Sequence, residues 1–378
     1  MAECKYAKKC SGCQLQNLSY EEQLRLKQVK VIRLIGRLCH VDEIIGMENP
    51  LNYRNKTQTI FGVKGGNIIS GIYQSTAKKI VAVDDCMLET KEANEICKTL
   101  RKLFTSFKIK PYDFKTRVGF IKHVLVRKGF NSGEILVVLV TAKGEFKSTR
   151  SFVNELVRRH PNITSIVWNI NPTDTALFLG EKSEVLYREG YINESLCGLN
   201  FRISPRSFFQ VNTVQAEVLY KKAKEFADLT GNEVVVDAYC GTGTIGLSMA
   251  DSAKKVIGVE LNKDAVKDAK ENAKLNGISN AQFFNGDAGD FMVDLANKNE
   301  TVDILIADPP RAGCSIKFLK STVKLKPKRM VYMSCNPETL ARDLHYLVKN
   351  GYKVDKAQPV DMFPYTNHVE VVVSLSKH

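Results

Sequence analysis

Residues 233–246 read EVVVDAYCGTGTIG. Three successive valines predict a strand buried on both faces, since β-branched side chains suit a packed, pleated surface. Glycines at 241, 243 and 246 follow it, so the strand runs into a tight turn that opens a helix. The rhythm continues downstream. KVIGVE (255–260) reads as a strand, DAVKDAKENAKLNG (264–277) as a helix, and AQFFNGD (281–287) as a strand. After another helix come the strands VDILIADPP (302–310) and RMVYMSC (329–335), the helix ETLARDLHYLVKNG (338–351) and the closing strand EVVVSLS (370–376). Strands alternating with helices predict an α/β domain over 201–378, built on a mainly parallel, doubly wound sheet.

The first 200 residues have a different pattern. Residues 1–14 are polar and rich in cysteine. Ser19 with Glu22 three positions on is a capping-box signal for a helix ending near Gly36. Short β-branched runs between Gly and Asn turns follow (TQTIFGV, IISGIY, KIVAV) and predict an antiparallel sheet. Helices are expected over 88–107 and 148–160, a hairpin at IKHVLVRK and GEILVVLVT, and a strand at TSIVWNI. We place the boundary near 195–205, giving an α+β domain at 1–200 and the α/β domain at 201–378.

The chain has 378 residues, with 55 Lys+Arg against 41 Asp+Glu, a net charge of +14. The surplus is uneven: 31 basic and 20 acidic residues lie in 1–200, and the stretch 101–150 alone holds 12 and 3. A clustered surplus favours a polyanionic partner, RNA or DNA, although a solvated basic surface would give the same count. That stretch also carries Phe104, Phe107, Tyr112, Phe114, Phe120 and Phe130. Most of these are expected in the core, with the remainder free to stack on bases. The longest aliphatic runs fall well short of the roughly 18 residues a membrane span needs. The N-terminus lacks the apolar stretch of a signal peptide. Ten cysteines in such a chain point to a reducing, cytoplasmic setting, where patterned cysteines bind metal or act in catalysis.

The acids after the first buried strand come in order. Glu260 ends the second strand, where a carboxylate can take two ribose hydroxyls; Asp287 follows the third strand and Asp308 the fourth. All stand at strand C-terminal ends, where open α/β sheets bind ligands. The spacing D-x-x-C-G-x-G differs from the G-x-G-x-x-G of dinucleotide binders. With the DPPR sequence at 308–311 it resembles the Rossmann-like fold of S-adenosylmethionine (AdoMet) methyltransferases.

Cys335, in SCNP at 334–337, sits at a strand end before a helix, a place where the helix dipole can lower a thiol pKa. Cys39, Cys97, Cys197, Cys240 and Cys314 read instead as small buried hydrophobes. Glu370 precedes the last strand and approaches the same crevice if that strand joins the sheet. A thiolate beside a carboxylate suits methylation of a pyrimidine carbon. Addition at C6 makes C5 nucleophilic, and a base then removes the C5 proton.

In this order the motifs SFFQVN (207–212), DAYCGTGTIG (237–246), GVE (258–260), DPPRAG (308–313), SCNP (334–337) and FPYTNHVE (363–370) resemble the bacterial RNA 5-methyluridine (uracil-C5) methyltransferase family. The resemblance implies Cys335 as nucleophile and Glu370 as base. It implies AdoMet contacts from Gln210, Tyr239, Glu260 and Asp308, with Tyr239 standing where some members carry Phe. Arg311 and Arg206 are candidates for RNA phosphate or the uracil edge. Cys4, Cys10, Cys13 and Cys86 match the family's 4Fe-4S pattern, which by donor type alone also suits zinc. The sequence starts at the cysteine motif, so the family's small OB-type module is expected to be absent or removed. That, with the cysteines, resembles the 23S rRNA-modifying subgroup. The resemblance thus implies an N-terminal RNA-binding domain carrying the Cys4 cluster and acting on RNA; a cytoplasmic location and no membrane partner are expected, and the oligomeric state is left open with a monomer favoured. Three other readings stay open: a tRNA uridine as target, a noncatalytic RNA-binding factor, and nitrogen methylation, in which the Arg311 position would carry an aromatic residue and SCNP would have no purpose.

Overall fold

The computed structural model describes residues 4–74, 77–173, 178–298 and 300–377. The chain divides into two compact units. One comprises Met1–Gln16, Asn49–Ser195 and Arg202–Arg206; the other comprises Asn17–Glu48, Leu196–Phe201 and Ser207–His378.

The first unit is built on a seven-stranded sheet in the order β4-β3-β2-β5-β6-β7-β8. Its strands are β2 (Lys56–Lys64), β3 (Asn67–Gln74), β4 (Ala77–Ala82), β5 (Ile121–Lys128), β6 (Ile135–Thr141), β7 (Ile163–Ile170) and β8 (Lys182–Tyr187). Neighbours are antiparallel except β6 and β7, which run parallel because α3 (Thr149–Arg159) crosses between them. Helices α2 (Lys91–Ser106) and α3 contribute Ile96, Leu100, Phe104, Phe152 and Leu156 to one core with Val124, Val126, Val137 and Leu139 of the sheet. Aromatic rings lock that core: Phe104 meets Phe61 edge-on at 5.0 Å and stacks on Phe152 at 5.8 Å. Of the six aromatics named above, Phe104 and Tyr112 are buried and the other four half-buried, whereas Lys102, Lys108, Lys110, Lys115, Lys143 and Lys147 are exposed. Most of these rings pack at least partly into the core, as expected, and the exposed positions of the stretch include these lysines with Arg117 and Arg150.

The second unit carries an eight-stranded sheet in the order β1-β16-β17-β15-β14-β11-β12-β13. Its central strands are β11 (Val234–Ala238), β12 (Lys255–Glu260), β13 (Ala281–Asn285), β14 (Ile304–Ala307) and β15 (Arg329–Ser334), all parallel. Helices α5 (Thr244–Met249), α6 (Lys263–Leu275), α7 (Ala288–Asn297), α8 (Ile316–Leu325) and α9 (Pro337–Lys349) make the crossovers. Strand β17 (Glu370–Lys377) runs antiparallel between β15 and β16 (Tyr352–Val360). The chain order reverses between β11 and β14, so a topological switch point opens at their C-terminal ends.

A single cut at 200 does not describe this division, because residues 17–48 belong with the C-terminal unit. Strand β1 (His40–Val41) pairs with β16, and helix α1 (Tyr20–Ile35) brings Val31 and Ile35 into the core of the second sheet. Lys27 of α1 is buried against Asp361, Nζ to Oδ1 at 2.6 Å. The Tyr20 hydroxyl donates to the other Asp361 oxygen at 2.9 Å. Losing one partner of such a buried pair typically costs about 3–5 kcal/mol. The pair ties α1 to the segment that leads into Glu370. The capping box expected at Ser19 and Glu22 is present.

Candidate functional site

Strand β11 ends at the Gly-rich turn. Gly243 has φ +81° and is the residue from which α5 starts, a conformation a side chain would strain. Gly246 packs so closely that a Cβ there would sit 2.9 Å from Asp237 Oδ2. Asp237 Oδ2 accepts from the Gly246 amide at 2.8 Å. Its Oδ1 is buried with no hydrogen-bond partner. Burial pushes the Asp237 carboxyl up to about 7. An orphaned carboxylate oxygen under a glycine turn is a ready acceptor for a cationic or hydroxyl-bearing ligand. Glu260, at the end of β12, accepts from the Gly241 amide at 3.1 Å and from the Asn262 amide at 2.7 Å. Each of its oxygens has a second lone pair for a ribose hydroxyl. Asp287 caps α7, accepting from the Asp290 amide at 3.0 Å.

Gln210 is buried in the segment before α4 (Thr213–Ala227). That segment reaches the turn through Thr242, whose hydroxyl donates to the Phe208 carbonyl at 3.4 Å. Tyr239 has φ +66° in the turn itself. Its ring packs on Phe318, 5.5 Å between centroids, so the side chain enters the core and the backbone shapes the cofactor turn.

Cys335 and Glu370 meet through strand register. Ser334 of β15 pairs with Val371 of β17, so the antiparallel ladder ends one residue short of Cys335 on one strand and of Glu370 on the other. Asp308 follows β14 in the same crevice. Glu370 is buried, and burial, then the Asp308 charge, push its carboxyl up to about 8 while Arg311 opposes them. Burial pushes Asp308 up to about 7. The Cys335 thiol is pushed up to about 11 by burial, then by Glu370 and Asp308, with Arg311 opposing. The thiol expected to be acidified by a helix dipole is therefore the reverse, because desolvation and two carboxylates outweigh the dipole.

Arg311 lies on the segment that follows β14. Its Nη2 lies 3.1 Å from His368 Nε2, two residues before Glu370. Its carbonyl accepts from Asn336 Nδ2 at 3.0 Å, next to Cys335. Arg206 instead donates to the Gly180 carbonyl in the first unit. Sequence reasoning missed Asp237 as a site residue and missed His368. Both stand inside motifs it quoted.

All ten cysteines are free. Cys97, Cys240 and Cys314 are buried as expected for small hydrophobes, while Cys39 and Cys197 are only half-buried. In the first unit, Cys10, Cys13 and Cys86 line one cavity, which Cys97 and Glu89 also border; Cys4 does not line it. Burial, then Cys10 and Cys4, push the Cys13 thiol up to about 11. Cys86 is pushed up to about 12 by burial, then by Glu89. Among the described residues no three Cys, His, Asp or Glu side chains stand close enough to hold a metal ion as placed. Three of the four cysteines of the N-terminal pattern share this cavity.

Among the described residues no helix is long and apolar enough to cross a membrane. A family profile described as tRNA (uracil-5-)-methyltransferase matches residues 19–378. An uncharacterized RNA methyltransferase of Oceanobacillus iheyensis is 43% identical over 373 residues, covering 97% of this chain and 81% of that protein. One from Halalkalibacterium halodurans is 43% identical over 379 residues, covering 99% and 83%. Among solved structures, the Pyrococcus abyssi tRNA (uracil-54, C5)-methyltransferase in complex with S-adenosyl-L-homocysteine superposes with a TM-score of 0.80. It is 30% identical, with 97% of this chain and 86% of that one covered. The Gly-rich turn and the acids at the switch point, with these likenesses, define an AdoMet-dependent RNA methyltransferase. The chain belongs to the tRNA (uracil-5-)-methyltransferase family.

Proposed function

We propose that this chain methylates C5 of a uridine in 23S rRNA, with Cys335 as nucleophile and Glu370 as base. The observation that supports this chemistry is the β15–β17 ladder, whose last pair, Ser334 and Val371, leaves Cys335 and Glu370 as the next residues on the two strands. A nitrogen-methylating enzyme has no use for a thiol there.

AdoMet supplies a methyl group on a sulfonium centre, whose positive charge favours the ionised forms of Cys335, Asp308 and Glu370. Asp237, Glu260 and the backbone of 239–243 would hold it, with Gln210 and Asp308 completing the pocket. The Cys335 thiolate adds to C6 of the uracil and the electron pair moves toward O4, leaving C5 enolate-like. C5 takes the methyl group. Glu370 then removes the C5 proton, and the C6–S bond breaks to restore the aromatic ring. Such a uridine must be flipped out of any helix to reach Cys335. RNA carrying tritium at uridine C5 tests this chemistry: one tritium is expected in water per methyl transferred. Methyl transfer with tritium retained would exclude C5 as the acceptor.

The choice of 23S rRNA rests on Cys4, Cys10, Cys13 and Cys86 as a structural 4Fe-4S site in the RNA-binding unit. Three of these thiols line one cavity. Anaerobically purified protein should be brown, and Cys86→Ser should remove the colour. Colourless protein with stoichiometric zinc would contradict the assignment. A tRNA uridine is the second reading, favoured by the likeness to the Pyrococcus abyssi enzyme.

A further inference from the structure

Arg311 holds no place in the sheet; it sits on the irregular segment 308–315 between β14 and α8. What fixes that segment is the start of α9, the helix that begins two residues after Cys335. Asn336 Nδ2 and the Thr339 hydroxyl both donate to the Arg311 carbonyl, at 3.0 and 3.1 Å. Arg342 Nη2 donates to the Ala312 carbonyl at 2.9 Å and to that of Cys314 at 3.3 Å. Asp343 lies beneath them, fully buried. Its Oδ2 accepts from the Cys314 amide at 2.8 Å and from the Tyr332 hydroxyl of β15 at 2.7 Å. Its Oδ1 accepts from Arg342 Nε at 2.8 Å. The segment is pressed so tightly on this group that a Cβ at Gly313 (φ +77°) would sit 2.6 Å from Arg342 Nη2 and 2.7 Å from Asp343 Oδ2.

Positions 336, 339 and 343 recur at the spacing of one helix face. That face bonds residues 311 and 314, and Arg342 beside it bonds 312 and 314. One carboxylate thus connects three parts of the site: the strand that ends at Cys335, the helix that follows it, and the segment bearing Arg311. A buried carboxylate is retained at a cost unless its hydrogen bonds are all satisfied, and here both oxygens are used.

We propose that Asp343 is a positioning residue for the reaction: through Tyr332, Cys314 and Arg342 it clamps the 311–314 segment to α9 and so holds the Arg311 guanidinium against His368, two residues before Glu370. This rests on the proposed roles of Cys335 and Glu370, but its test does not need methyl transfer. The charged groups that act on Cys335 are Glu370 from β17 with Asp308 and Arg311 from the 308–315 segment, and His368 faces Arg311. A guanidinium released from its clamp no longer opposes the two carboxylates at the thiol.

The experiment is the pH dependence of Cys335 alkylation in the full chain, read by mass spectrometry of the peptide that contains it. Arg311→Met should move the midpoint to higher pH by about one pH unit, the size expected for losing one neighbouring opposite charge. Asp343→Ala should produce most of that shift, and the double variant should add nothing further. Arg342→Met, at an exposed guanidinium, should shift it part of the way and covers the case in which Asp343→Ala does not fold. The proposal is overturned if Arg311→Met leaves the midpoint unmoved. It is equally overturned if both clamp variants, folded by circular dichroism, keep the wild-type midpoint, or if the shifts of Arg311→Met and Asp343→Ala simply add. Failure of the nucleophile assignment would show separately, as full methyl transfer by Cys335→Ala.

Discussion

With Cys335 replaced by alanine, methyl transfer to RNA falls by at least about 10⁴-fold, the scale of losing a covalent nucleophile, while AdoMet affinity by calorimetry stays within about twofold. Uracil C5 is a poor nucleophile toward a sulfonium methyl, and no other group opposite Glu370 can add to C6. Affinity is spared because the residues proposed to hold the cofactor, chiefly Asp237, the Gly-rich turn and Glu260, do not include Cys335. Full activity in this variant would remove the thiolate mechanism and return nitrogen methylation to consideration.

Glu370→Gln traps a covalent RNA–protein adduct. Addition and methyl transfer proceed, the C5 proton stays, and the C6–S bond cannot break. A slowed band on a denaturing gel that contains both RNA and protein is the expected result; an unshifted band would show that another group takes the proton. The same variant has a second signature in the protein alone. Glu370 folds with its carboxyl raised to about 8 from an ordinary value of 4.5. The folded state therefore binds more protons than the unfolded one between those values, and stability falls as pH rises through that window. Glutamine carries no such penalty. The variant should melt a few degrees above wild type at pH 8, and the gap should close near pH 5.

Much of the second unit was legible because its strands are buried on both faces and announce themselves as valine-rich runs. The ordered acids at strand ends then located the cofactor side. Strand β16 was not legible: YKVDKAQPV mixes charges with Pro359, and only pairing to β17 makes it a strand. Nor was the membership of residues 17–48 in that unit, since nothing local to Lys27 reveals that its partner is Asp361. The thiol of Cys335 shows the same limit. Its neighbours in sequence indicate a helix dipole, but its pKa is raised by burial, then by Glu370 and Asp308, which only the tertiary fold brings about. Asp343 left a faint trace in ETLARDLHYLVKNG, an acid at the helix-face spacing from Asn336 and Thr339. A solvated position would have read identically.

The central claim is tested most directly by labelled methyl transfer from AdoMet to rRNA and tRNA lacking 5-methyluridine, followed by nucleoside analysis. Label in 5-methyluridine from 23S rRNA is the predicted result. Label in 5-methyluridine from tRNA alone would keep the chemistry and overturn the substrate. Label in any other nucleoside, or none with AdoMet still bound, would contradict the account.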